Sequence, residues 1–104
     1  MSAIALVRAT FADRDEAARI GHVVIEEGLA ACVNIEAVWS LFRWKGELSE
    51  AAEAAALFKT RVTLAPRLAG RIVALHSYDL AAIEWWQATA SAAVVEWVAA
   101  ATRD

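Results

Sequence analysis

The sequence is poor in the residues that build cross-linked or metal-caged folds. It has one cysteine and two histidines among 104 residues, so a disulfide within the chain is excluded. CxxC, HxH and HExxH spacings are absent, which argues against a high-affinity metal cage in one chain. No apolar run approaches the about 20 residues that span a bilayer, and the N-terminus lacks the basic and apolar regions of a secretory signal. We therefore expect a cytoplasmic protein without a membrane segment.

Positive charge is also scarce. The net charge is −3 and the sequence pI is near 5.3. The ten Lys and Arg residues are scattered along the chain rather than clustered. A nucleic-acid-binding surface needs a concentrated basic patch, so we expect no nucleic-acid partner.

Alanine and tryptophan are abundant instead. Ala fills about a quarter of all positions, and there are five Trp. A length of 104 residues predicts a single domain spanning 1–104. Trp is hard to bury fully in a small domain, so this content indicates interfaces between chains.

A long β-hairpin is the dominant pattern in the chain. Apolar residues alternate on one parity through Val33, Ile35, Ala37, Trp39 and Leu41, the period of a strand. Lys45-Gly46 then offers a turn, since Gly accepts positive φ. So small a chain cannot cover both faces and edges of such a hairpin, and exposed edges and Trp are poorly tolerated. We expect other copies of the chain to cover it.

The return arm of this hairpin conflicts with local propensity. Residues 50–56 are Ala and Glu only, and both favour helix. Because the segment directly follows a turn and faces a strand of matching length, we predict a strand that runs to Thr60.

The remaining pattern predicts three helices and two further strands. Asp13 and Glu16 form a helix N-cap pair, and Gly28 suits the end of that helix. Thr63 is predicted to cap a second helix with Pro66 in its first turn, and Ser91 to cap a third. Strands are expected at 3–10 and 83–89, with Trp85 and Trp86 packing in the core and at a subunit interface. The order β-α-β-β-α-β plus a terminal helix predicts an α+β, ferredoxin-like split βαβ sandwich.

Several segments together resemble the CutA divalent-cation tolerance family. They are 31–35 (ACVNI), 40–47 (SLFRWKGE), Glu53, 59–60 (KT), 76–78 (HSY) and 96–98 (EWV). The resemblance runs over nearly the whole chain in order and spacing. It implies a homotrimer in which the long hairpins pair between subunits, and a cytoplasmic role in tolerance of divalent metals, with copper the ion most often named.

The resemblance also implies a pocket between subunits. Its residues here are Ser40, Phe42, Trp44, Lys59, Tyr78 and Asp79. The family usually has Tyr at Phe42, Pro at Ser77 and Ala81, and an acid at Ala82. Loss of that acid removes a carboxylate from the expected pocket.

His76 and Cys32 are the candidate metal ligands, for Cu²⁺ or another divalent cation. The alternative for His76 is a histidine at a helix end that bonds a backbone carbonyl. The alternative for Cys32, which lies in an apolar strand, is core packing. A trimer would bring three copies of one ligand together.

Catalysis is not expected. Lys59, Tyr78 and His76 form no recognisable nucleophile, base and orienting group, and Lys59 could instead pair with Glu47 or Glu53 across the hairpin.

Two hypotheses follow. The first is a trimeric protein of divalent metal tolerance that binds metal weakly. The alternative is a PII-like trimeric signalling module that binds a small ligand or nucleotide between subunits.

Overall fold

The computed structural model describes residues 2–103. Four strands form one antiparallel sheet in the order β2-β3-β1-β4. The strands are β1 (Ser2–Phe11), β2 (Cys32–Trp44), β3 (Glu47–Thr60) and β4 (Ile83–Ala90). The helices are α1 (Arg14–Glu26), α2 (Ala65–Leu75) and α3 (Ala92–Ala101). This order confirms the predicted split βαβ arrangement.

The core lies between one face of the sheet and helices α1 and α2. Val7, Ala9 and Phe11 of β1 face Phe58, Ala56 and Ala54 of β3 in register, and all six are buried. The stripe of α1 formed by Ala17, Ile20, Gly21 and Val24 is buried. Leu64, just before α2, and Leu68 and Ile72 within α2 are also buried. The small Ala side chains of β1 and β3 let the helices approach the sheet closely.

The return arm is a strand, as predicted against its helix propensity. β3 pairs with β2 from Glu47 to Lys59 and with β1 from Ala54 to Thr60. Two sets of ladder hydrogen bonds and the burial of Ala54, Ala55 and Ala56 outweigh a preference of a few tenths of a kcal/mol per residue for helix. The turn has φ of 52° at Lys45 and 80° at Gly46, which is typical of a type I′ hairpin.

The whole molecule is elongated, with principal extents of 44 × 24 × 21 Å. The hairpin extends beyond the rest of it. Trp39 and Leu41 are each 63% exposed and Leu48 is 68% exposed. Among the residues that the structure describes, β2 pairs only with β3, and residues 47–53 of β3 pair only with β2. The hairpin therefore leaves apolar side chains and strand edges uncovered within one chain.

One prediction for the helical half was wrong in detail. Thr63 does not cap α2; it lies exposed in a short 3₁₀ helix (Val62–Leu64), and Leu64 precedes α2 without a side-chain cap. Because Leu64 is buried, the 3₁₀ turn that contains it leads directly into α2. Pro66 has no backbone N–H, so it needs no capping acceptor in the first turn of the helix. Asp13 and Ser91 do cap α1 and α3, each accepting a hydrogen bond from the backbone N–H three residues on.

The predicted core role of the Trp pair was also wrong. In register, Trp85 lies beside Val7 and Trp86 beside Leu6, so the rings point to opposite faces as expected. Both remain exposed, by 48% and 44%, because β4 is an edge strand. Their place at a subunit interface stays a prediction.

Candidate functional site

Three consecutive residues after α2 each connect to a different element. The first is His76, whose ring stacks on Phe11 with centroids 4.8 Å apart. Its Nε2 lies 2.7 Å from the carbonyl oxygen of Thr10, and its Nδ1 accepts the backbone N–H of Tyr78 at 3.0 Å. A neutral ring with the proton on Nε2 satisfies both contacts. His76 thus bonds a backbone carbonyl, one supplied by β1 rather than by the end of α2, and its role as a metal ligand stays a prediction.

The second connection runs from Ser77 to Glu16. Ser77 donates its backbone N–H to Glu16 Oε2 at 2.8 Å, and Ala12 donates to Oε1 at 3.2 Å. Burial of this carboxyl, which is 7% exposed, acts to raise its pKa. The hydrogen bonds from Ser77 and Ala12 favour the ionised form more strongly, so the pKa of Glu16 is lowered overall. An ionised carboxylate thus holds the loop against the start of α1.

The third connection runs from Tyr78 to β3. The Tyr78 hydroxyl donates to Glu53 Oε2 at 2.7 Å. Burial, together with the hydrogen bond to the Glu53 carboxylate, raises the pKa of Tyr78 to about 12. The phenol therefore stays protonated at neutral pH and remains a donor to Glu53.

These connections place the loop against the hairpin and form a groove of about 760 Å³. One end is formed by the loop and the other by the aromatic part of the hairpin. Five of the six predicted pocket residues line it, together with Glu53: Ser40, Phe42, Trp44, Tyr78 and Asp79. Their role in binding stays a prediction.

Lys59 is the predicted pocket residue that the structure leaves outside this groove. In register it lies beside Cys32 on β2 and Leu6 on β1. The expected pairing of Lys59 with Glu47 or Glu53 across the hairpin was wrong, because the register places Trp44 and Val38 opposite those acids. A place for Lys59 in the pocket would require it to come from another copy of the chain.

The two predicted metal ligands lie apart. Cys32 is half-buried and pairs with Lys59, whereas His76 bonds to Thr10, which pairs with Ala55. Four residues along β3 correspond to roughly 13 Å. Cys32 also lies outside the buried core cluster, so the core-packing alternative for it was wrong. Across residues 2–103, no three His, Cys, Asp or Glu side chains are grouped to hold a metal ion.

The site includes two carboxylates that sequence analysis did not assign to it. Glu53 was noted as part of a resemblance and as a possible partner of Lys59, and Glu16 only as part of a helix cap. Counting the register outward from Lys45-Gly46 places Glu53 opposite Val38, on the same face as Ser40 and Phe42, so this signal was present. Nothing in the sequence predicted that Glu16 would accept a bond from Ser77, 61 residues away.

Comparison with known proteins gives a consistent result. The family model described as CutA1 divalent ion tolerance protein matches residues 5–101. The chain is 36% identical to the divalent-cation tolerance protein CutA of Pyrococcus horikoshii over 75% of this chain and 76% of that protein. It is 37% identical to the CutA homolog of Danio rerio over 82% of this chain, but that match spans only 58% of the fish protein.

A solved structure agrees with the fold. The structure titled the periplasmic divalent cation tolerance protein CutA from Archaeoglobus fulgidus superposes with a TM-score of 0.91 at 29% identity, covering 94% of this chain and 97% of that one. Within residues 2–103, no helix is long and apolar enough to cross a membrane. With the family match over nearly the whole chain and the shared fold, the chain belongs to the CutA1 divalent ion tolerance family.

Proposed function

We propose that residues 1–104 work as a single CutA-like domain in a cytoplasmic homotrimer. This trimer takes part in tolerance of divalent metal ions, with copper the first candidate, and catalyses no reaction. Membership of a family named for divalent ion tolerance favours this function over the PII-like signalling module.

The uncovered hairpin is the observation that carries the proposal. Its exposed Trp39, Leu41 and Leu48 form apolar surface on the outer part of the hairpin. The thirteen-residue edge strand β2 has unpaired backbone groups along its outer side, which is a template for pairing with another chain. Other copies that pair along this edge would bury both features.

Metal binding is proposed at contacts between copies. One chain supplies no cluster of three ligands, so a site needs residues from more than one chain. Both ring nitrogens of His76 are engaged in hydrogen bonds, and a metal would have to displace one of them. Cys32 is half-buried rather than sealed in the core, and three symmetry-related copies would offer three thiolates, which suit copper. These features support weak rather than tight binding.

Light scattering coupled to size-exclusion chromatography tests the assembly. The expected mass is about three times the 11.2 kDa of one chain. Leu48→Glu should reduce it, whereas Val73→Glu, at an exposed apolar residue of α2, serves as the control and should not. A monodisperse monomer of the unmodified protein at micromolar concentration would refute the proposed trimer.

Calorimetric titration with copper tests the metal role. The unmodified protein, Cys32→Ser and His76→Ala are compared at matched trimer concentration. Identical isotherms for a variant and the unmodified protein remove that residue from the metal site.

A further inference from the structure

We propose that the groove binds an organic cation, namely an amine with an apolar body. This inference rests on the proposed function, because it names the ligand class of the same intersubunit pocket.

The end near the loop is acidic and pre-arranged. Tyr78 holds Glu53 through Oε2 at 2.7 Å. Among residues 2–103, Glu53 Oε1 accepts no hydrogen bond and Glu53 forms no salt bridge. Asp79 supplies a second carboxylate at the same end. A carboxylate has room for several donors, so this end suits an ammonium group.

The wall between the ends is apolar and aromatic. Phe42, Trp44 and Leu80 line it, and each is more than a third exposed within one chain. Aromatic faces attract cations, and Trp44 already has the Lys45 ammonium 5.9 Å above its ring. Such a wall would take the hydrocarbon part of an amine and would shield its charge contact from water.

The far end of the groove has the opposite charge. The Arg43 guanidinium donates to the carbonyl oxygen of Gly46 at 3.1 Å, at the hairpin turn. Gly46 and Glu53 are seven residues apart on an extended strand, a distance of about 23 Å. This separation leaves the Tyr78 end negative, so an amine is oriented with its nitrogen at Glu53. The volume of about 760 Å³ lies within the usual range for small-molecule sites.

A metal ion fits this groove less well than an amine does. Divalent cations require three or more oxygen, nitrogen or sulfur ligands in close array, and residues 2–103 of one chain group no three His, Cys, Asp or Glu side chains in that way. An ammonium group needs one or two carboxylate oxygens and gains from the apolar wall. The chemistry present therefore selects an organic cation.

Calorimetry with 4-phenylbutylamine and its uncharged counterpart 4-phenylbutan-1-ol tests the inference. We expect the unmodified trimer to bind the amine about tenfold or more tightly than the alcohol, since the charge-assisted contact to Glu53 is absent from the alcohol. Glu53→Gln should remove this preference. Glu36→Gln should keep it, because Glu36 is exposed on the same hairpin but does not line the groove.

The outcomes separate the two proposals. Equal binding of amine and alcohol by an intact trimer, or an unchanged preference in Glu53→Gln, overturns this inference and leaves the trimer standing. A monomeric mass measured on the same samples overturns the proposed function instead. Tighter amine binding by Lys59→Gln would show that the groove is occupied by that ammonium from another copy, and would overturn the inference of a free site.

Discussion

Ser77 donates its backbone N–H to the carboxylate of Glu16 at 2.8 Å, and so joins the loop after α2 to the first turn of α1. The same carboxylate accepts from Ala12 at 3.2 Å. One buried acid therefore positions the loop that carries Tyr78 and Asp79 into the groove.

Removing this acid should destabilise the protein. Glu16→Ala leaves two N–H groups without their acceptor, and we expect a loss of about 2–4 kcal/mol in the free energy of unfolding. Asp15→Ala is the control, because Asp15 is an exposed acid in the same helical turn. Urea unfolding followed by circular dichroism measures both. Equal losses for the two variants would show that the bonds to Ser77 and Ala12 contribute little.

The contribution of Glu16 should depend on pH with a defined sign. Its pKa is lowered in the folded state, so the ionised form stabilises the fold above the unfolded pKa of about 4.3. The stabilisation is lost as pH falls from that value through the folded pKa. The difference in stability between the unmodified protein and Glu16→Gln should therefore be constant from about pH 5.5 to 7.5 and shrink below about pH 4.3. A difference that grows on acidification would contradict the assignment.

Ser77→Pro tests the bond from the other side. The φ of −73° and ψ of 145° at His76 suit a residue before proline, so His76 need not change its backbone conformation. Proline lacks the N–H that Glu16 receives, and we expect a net loss of about 1–2 kcal/mol after the gain from a stiffer unfolded chain. Ser77→Ala keeps the N–H and should cost less. Thermal unfolding of the two variants side by side gives the order, and a more stable Ser77→Pro would refute it.

His76 should exist as the tautomer protonated at Nε2. That tautomer donates to the Thr10 carbonyl and accepts from Tyr78. Long-range ¹H–¹⁵N spectra of the metal-free protein at pH 8 should show a protonated Nε2 and a bare Nδ1. His22, which is exposed on α1, is the internal comparison and should show the averaged signals of a free ring. A bare Nε2 in His76 would mean that the contact to Thr10 does not form.

Three Gly→Ala substitutions should rank in a fixed order. At Gly28 the φ is +74° and a new Cβ would lie 2.7 Å from Arg103 Cγ, so strain and a contact combine. At Gly46 the φ is +80° but the surroundings are open, so only strain of about 1–2 kcal/mol applies. At Gly70, inside α2 with open surroundings, alanine should stabilise the helix by about 0.5–1 kcal/mol. Chemical denaturation of the three variants measures the ranking. A loss of stability in Gly70→Ala would contradict it.

Most of the architecture was readable from local patterns. Alternation from Val33 to Leu41 and the Lys45-Gly46 turn predicted the hairpin, because side-chain direction in a strand is fixed by parity. Assigning residues 50–56 to a strand required their position in the chain as well as their propensity, because partner strands on both sides supply the stability of this segment. Thr63 failed as a cap because burial of Leu64, a tertiary effect, decides where α2 begins.

The site was less predictable than the fold. Ser40, Phe42 and Trp44 share one face of β2, a local property. They come close to Tyr78 because β1 ends at Phe11. The end of β1 leaves space beside β3 for the loop after α2. Lys59 lies outside the groove of its own chain because it is near the far end of β3 from the turn, beside Cys32, and its place in a pocket between subunits stays a prediction.

The bare outer margin of β2 has a kinetic consequence. If copies join along it, completion of the native state is a second-order event whose rate falls with dilution, unlike the closure of the hairpin itself. At low concentration, chains would then remain unassembled for longer with this margin of β2 unpaired. A chaperone or a misfolded copy of the chain would bind β2 most readily during that time.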